Sequence, residues 1–459
     1  MSGFSPPDFS TRRAGTAAEE RSVQWSNWAG NQSVNARQMQ RPTSTAEVAT
    51  IVKRAAEDGH RVKAVGSGHS FTAIALTEDV IVDLGRLDQM LAVDRQNHQV
   101  SVGAGITLSR LNDQLANVGL AMTNLGDIAY QTLAGAISTG THGTGLNFGG
   151  IAAQVLALEI VTGGGDVLRC SPDQNAEIFS CARVGLGALG IITEVTLQVE
   201  PAFNLHAVEG PQPIDQVLSG WLDEAIAHDH FEFFWIPGTQ MAMTKRNRRT
   251  QEAARPPSKL AHVRDKIVFE NLAFGAIIQL GRRRPQLIPK INDMIGRAAS
   301  STDYIDRSDR IFASPRWNKF VEMEWSIPVA DVPVVLRKIE AAIAENEWKI
   351  MFPVEARVAG ADDIALSTAS GRDSGYVAVH VAKGREYRPY FEAVQAIMND
   401  HEGRPHWGKM HFLTAADLAP RYPQWEAFQV VRRECDPDGR FVNDYTQRVL
   451  GTLPIDGTP

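Results

Sequence analysis

The chain has 459 residues, 43% of them hydrophobic and 22% charged, which is apolar material for a large core and for more than one domain. Its 46 basic and 53 acidic side chains leave a net charge of -7, so the composition gives no basic footprint for nucleic acid and directs attention to small-molecule chemistry. Three scattered cysteines, Cys170, Cys181 and Cys435, make neither a disulfide framework nor a thiolate metal centre, so no metal is expected.

No window approaches the roughly 18 consecutive apolar residues of a spanning helix. The N-terminus lacks the apolar core of a signal peptide, and Arg12-Arg13 precedes residues too polar for an export signal. The expectation is a cytoplasmic protein without a spanning segment, with residues 1–21 as a mobile tail. Ser44 and Glu47 have capping-box spacing, and Val48, Ile51, Val52 and Ala55 then share one helical face up to Gly59. A strand over Val62 to Val65 delivers the chain into Gly66-Ser67-Gly68-His69-Ser70-Phe71. Gly66 and Gly68 can take positive φ at little cost, so successive N–H groups can converge on one phosphate beside a nucleophilic imidazole. A dinucleotide-binding Gly-x-Gly-x-x-Gly would need a third glycine, which is missing.

Strands follow at Val80 to Leu84, Met90 to Val93 and Gln99 to Gly103, then a helix with Leu108, Leu111 and Leu115 on one face. The stretch from Gln131 to Gly145 combines small residues, hydroxyls and glycines. It reads either as a tightly packed helix with a flexible loop or as backbone kept bare for close approach to a flat ring or a diphosphate. Val155 to Thr162 and Gly190 to Val199 read as buried strands, with the nearly bare Gly185-Leu186-Gly187-Ala188-Leu189-Gly190 between them as a third close approach. After about Glu200 aromatics rise at Phe231, Phe233, Phe234 and Trp235, which marks a domain boundary. The basic run from Lys245 to Arg255 and the triplet Arg282-Arg283-Arg284 read as solvated surface loops.

In the later half, Phe352 to Val358 reads as a strand whose period of two puts Glu355 and Arg357 on one face. Such a pair can grip a polyol or a lactone. The simpler reading is a surface ion pair worth about 0 to 1 kcal/mol. Arg404-Pro405-His406-Trp407-Gly408-Lys409 is rich in functional groups, and Lys409 either places a cation where negative charge develops or is a solvated loop lysine.

Together, Trp25-Ser26-Asn27-Trp28, Val65 to Ser70, Gly140 to Gly145, Glu355-x-Arg357, His406 to Lys409 and Asn443-Asp444-Tyr445 resemble the FAD-linked sugar-lactone oxidoreductases of the vanillyl-alcohol oxidase superfamily, in the gulonolactone, arabinonolactone and alditol oxidase branch. The resemblance implies an α+β fold: a two-lobed FAD-binding domain over residues 22–200, a substrate cap with an antiparallel sheet flanked by helices over 201–440, and a segment, 441–459, returning to the FAD domain. It implies that His69 is joined covalently to the flavin. Gly66, Ser67, Gly68, Ser70, Phe71, Thr132, Gly135, Ser138, Thr139, Thr141, His142, Gly143, Ile192 and His406 would bind the cofactor, while Glu355, Arg357 and Lys409 would carry the chemistry.

The reaction so implied is oxidation of an aldonolactone such as L-gulono-1,4-lactone at a CH–OH carbon, with hydride passing to flavin N5 and electrons then to O2 or another acceptor. Glu355 is the best carboxylate for gripping or deprotonating the hydroxyl, and Lys409 near flavin N1 would stabilise reduced flavin. The alternatives are an alditol oxidase acting on an open-chain polyol and releasing peroxide, and a flavin-carrying protein without turnover.

Overall fold

The computed structural model describes residues 22–257, 280–281, 283–298, 300–313 and 318–453. The expected tail, Arg282 and the last six residues lie outside them. The helix Thr45–Glu57 starts where Ser44 accepts the Glu47 N–H at 3.2 Å, and the Glu47 carboxylate reaches back one residue further than a capping box requires, to the Thr43 N–H at 2.7 Å. Its buried face, Val48, Ala49, Val52 and Ala55, packs on Val62, Val80 and Val82 of a three-stranded parallel sheet and on Val161 and Ile191 of a second sheet. In the parallel sheet Gln38–Gln40 and Val62–Val65 flank Val80–Asp83, so the strand leading into the glycine turn is an edge strand. The second sheet is antiparallel, in the order Val167–Cys170, Val155–Val161, Ile191–Gln198, Gln99–Gly103 and Met90–Asp94.

From Asn204 onward the chain builds one eight-stranded antiparallel sheet. Its order is Thr302–Arg307, Asn204–Pro213, Met241–Thr250, His230–Trp235, Val354–Ala359, Ser374–Ala382, Phe320–Pro328 and Arg404–Pro405. The alternation of side chains makes this sheet two-faced. Phe231, Phe233, Trp235, Ala356, Val358, Val377, Val379, Met323 and Trp325 occupy one face and join the main apolar core with residues of the helices Val332–Glu345 and Arg388–Asn399. The register puts Lys245 opposite Glu232, Glu355 opposite Ala378, Ala378 opposite Glu324, Arg357 opposite Tyr376 and Glu322 opposite His380, all on the other face. The mixture of helices with these sheets is the expected α+β class.

Two expectations fail on burial. The run from Lys245 is a solvated loop only in its second half: Gln251 to Arg255 is exposed, but Met241–Thr250 is an inner strand in which Lys245, Arg246 and Arg249 face acidic partners, Arg249 being ion-paired with Glu200 at 2.5 Å. The Glu355 and Arg357 pair is not on the surface either, since these residues are 7% and 8% exposed. The segment Gly140 to Gly145 docks on the large sheet, with the Gly145 N–H donating to the Val358 carbonyl at 2.8 Å and the Thr144 hydroxyl to the Phe231 carbonyl at 2.5 Å. Late in the chain, the Asn443 amide donates to the carbonyls of Ala73, Ile74 and Leu76. Among the described residues no helix is long and apolar enough to cross a membrane.

Candidate active site

The parallel sheet ends at a cleft that opens to solvent. Gly66, Ser67, Gly68, His69 and Ser70 form one wall, Thr132, Gly135, Ser138 and Thr139 a second, and Leu186, Gly187 and Ile192 a third. Three glycine-rich segments far apart in sequence therefore meet in one place. The two glycines of the turn serve different ends. Gly68 has φ +67°, whereas Gly66 does not: a Cβ there would lie 2.0 Å from the Thr132 hydroxyl oxygen, so its lack of a side chain lets two walls touch. The backbone N–H groups of Ser67, Gly68, His69 and Ser70 donate to no protein acceptor among the described residues, which leaves four successive donors at the cleft. That donor set, on a wall without side-chain bulk, fits a diphosphate.

The His69 ring stacks on Trp28 with centroids 5.5 Å apart, and burial followed by the nearby Lys409 charge pulls its pKa down to about 4. It is a neutral imidazole at ordinary pH. Phe71, Thr141, His142, Gly143 and His406 do not line the cleft but stand behind it, toward the sheet. Phe71 joins the two regions: its N–H donates to the Gly408 carbonyl at 2.7 Å, and its ring lies 5.3 Å from the Lys409 ammonium.

The charged face of the large sheet carries two linked clusters. In the first, Arg357 donates through Nε to Glu232 at 2.9 Å and is ion-paired through Nη2 with both Asp127 and Glu355. Lys245 meets Glu232 at 3.1 Å. Oxygens of Asp127, Glu232 and Glu355 lie within 4.8 Å of one another, held by these two cations. Burial opposes the charge on Arg357, but Asp127, Glu355 and Glu232 outweigh it and hold the guanidinium well above its usual range. For Lys245 burial is likewise outweighed, by Glu232 and Asp127.

In the second cluster Lys409 is ion-paired with Glu322, which also faces His380 Nε2 at 3.5 Å. Burial pushes the Glu322 carboxyl up, yet Lys409 and His380 bring it down to about 2. Glu324 faces His142 Nε2 at 3.3 Å and is held well below the carboxylate range, where burial is outweighed by His142. The His142 Nδ1 faces the Gly143 carbonyl at 2.8 Å, and its ring stacks on Tyr376 with centroids 3.6 Å apart. His406 differs: burial, only partly offset by Glu324, lowers its pKa to about 4, and its Nδ1 accepts the Gly408 N–H at 3.0 Å. Its hydrogen therefore sits on Nε2.

The sequence reading brought together Glu355, Arg357 and Lys409 with the glycine turn, and missed Asp127, Glu232, Lys245, Glu322, Glu324, Tyr376 and His380. The available signal was alternation. Phe231-Glu232-Phe233 and Glu322-Met323-Glu324-Trp325 place acids between apolar residues in strands whose other face is core.

Residues 195–449 match the family described as D-arabinono-1,4-lactone oxidase, and residues 36–171 match the family described as FAD binding domain. The chain is 44% identical over 429 residues to L-gulono-1,4-lactone dehydrogenase of Mycobacterium tuberculosis, covering 93% of this chain and 99% of the relative. It is 34% identical to L-gulonolactone oxidase of Scyliorhinus torazame, covering 93% and 98%. Among solved structures, a solvent-stable cholesterol oxidase superposes with a TM-score of 0.77 at 18% identity, covering 94% of this chain and 98% of that one, which is a likeness of fold. The chain is thus a flavin-dependent oxidoreductase belonging to the D-arabinono-1,4-lactone oxidase family.

Proposed function

We propose that the chain oxidises a sugar-derived aldonolactone of the L-gulono-1,4-lactone kind at a CH–OH carbon, with FAD held in the glycine-walled cleft and the lactone on the charged face of the large sheet. The observation that carries this reading is the junction at Phe71 and Gly408, which sets Lys409 between the cleft and the cluster around Arg357. The relatives' activities, named for gulonolactone and arabinonolactone, favour a lactone over an open-chain alditol. In this reading residues 22–200 carry the cofactor, 201–440 cover the substrate, and 441–459 return to the cofactor part.

Bound FAD supplies the hydride acceptor, and the protein's residues supply orientation and charge. Arg357, fixed on three sides by carboxylates, is a rigid donor, and Glu355 beside it accepts a substrate hydroxyl. His406 presents Nε2–H as a neutral donor. Lys409 sets a half-buried positive charge beside the cleft, steadied by Glu322. His69, neutral and aimed at the same cleft, is the residue that would bond to the flavin.

Anaerobic mixing with L-gulono-1,4-lactone and, separately, xylitol tests the substrate: the lactone is expected to bleach the flavin absorbance. Bleaching by xylitol alone would reverse the assignment. Peroxide release under air reads the acceptor. Flavin that stays with acid-precipitated protein, and leaves in His69→Ala, is the result expected of a covalent link; complete release from the unmodified protein rules the link out.

A further inference from the structure

One side chain in the cleft stands apart. Among the described residues the cleft lining contains no carboxylate and, besides the neutral His69, a single group able to carry positive charge, Lys63. This lysine sits on the strand that leads into the glycine turn and is 2% exposed. Its ammonium donates to the Phe441 carbonyl at 3.0 Å and the Gly187 carbonyl at 3.3 Å, which fixes its position and uses two of its three N–H bonds. The nearest acid acting on it, Asp436, is occupied elsewhere: its two oxygens accept the N–H groups of Arg440 at 2.7 Å and Phe441 at 2.9 Å. A buried ammonium with only carbonyl partners is costly unless an anion arrives.

We propose that Lys63 is the charge partner of the cofactor's diphosphate, the one cationic side chain that the described residues of this cleft offer to a dianionic group otherwise held by backbone N–H donors. This rests on the reading that FAD occupies the cleft. Burial, with Asp436 opposing and Arg432 assisting, lowers Lys63 to about 8. Binding an anion requires the protonated form, so affinity should be constant below that value and fall as pH rises above it.

The test uses full-length apoprotein from a riboflavin-starved host, titrated calorimetrically with ADP and with adenosine. Wild type should bind ADP more tightly than adenosine, and the preference should shrink by about tenfold between about pH 8 and pH 10. Lys63→Met should weaken ADP by about tenfold or more and leave adenosine unchanged, whereas Lys63→Arg should retain most of the ADP affinity. Equal loss of both ligands in Lys63→Met, or unchanged ADP binding, overturns the proposal. If Lys63→Met does not fold, the wild-type pH profile decides, and ADP affinity that stays flat to pH 10 refutes it. Wild type that binds neither ligand removes the cofactor from this cleft, and Lys63 with it.

Discussion

Replacing Arg357 by Ala isolates what the guanidinium does for the charged face. Oxygens of Asp127, Glu232 and Glu355 lie within 4.8 Å of one another. At an effective dielectric of 20, two unit charges at that separation repel by about 3.5 kcal/mol, so three pairs amount to about 10 kcal/mol before any cation is counted. Arg357 touches all three acids and Lys245 touches Glu232, so the variant keeps three acids and one cation. Much of the repulsion will be relieved by one carboxyl taking up a proton, leaving a penalty of about 3–5 kcal/mol at neutral pH. The sign follows. Above about pH 4 the unfolded chain has released that proton while the folded variant keeps it, so stability must fall as pH rises. Thermal unfolding from pH 5 to pH 8 should show the Arg357→Ala penalty growing toward pH 8, and adding Asp127→Asn should recover part of it. A penalty that is constant with pH and untouched by Asp127→Asn would mean that Arg357 contributes packing and not charge balance.

Three further outcomes are expected. Lys409→Met removes the positive charge beside the cleft, so stopped-flow reduction of the flavin by lactone should slow on the order of a hundredfold with little change in lactone affinity; an unchanged rate constant counts against its role. Gly66→Ala drives a Cβ to 2.0 Å from the Thr132 hydroxyl oxygen, which also caps the helix Leu133–Ser138. The strain of about 1–3 kcal/mol and the weakened cap, about 1 kcal/mol, should lower both flavin content and melting temperature. Gly66→Ala/Thr132→Ala should regain some of each, and a single variant indistinguishable from wild type contradicts the close contact. His69, His230 and His406 are each lowered to about 4, with burial the first cause. The unfolded chain takes up these protons near pH 6.5 and the folded chain only near 4, so the melting temperature should fall as pH drops through that window. A flat profile there is the contrary result.

The glycine turn was legible because its composition is unusual at each position, and Glu355 and Arg357 because a period of two needs only three residues to show. The function of Gly66 was not legible: its constraint comes from Thr132, on another wall, and not from its own φ. Glu322 was hidden for a related reason. Its partner Lys409 lies 87 residues away, and only the register of Phe320–Pro328 with its neighbours brings them together. Lys245 was misread because a basic run looks alike on a loop and on a strand until the facing strand, with Glu232, is known. Asp127 stands in a loop, where no periodicity betrays a direction.

The hydrogen bonds from Lys63 to Phe441 and from Asn443 to Ala73 span 378 and 370 positions. During synthesis the glycine turn emerges early, yet the groups that brace it leave the ribosome hundreds of residues later. Contacts of such sequence separation close late, because the chain entropy of the intervening loop must be spent first. This wall of the cleft is therefore completed after nearly everything else has been made. A chain truncated before Phe441 would carry the glycine turn without its brace.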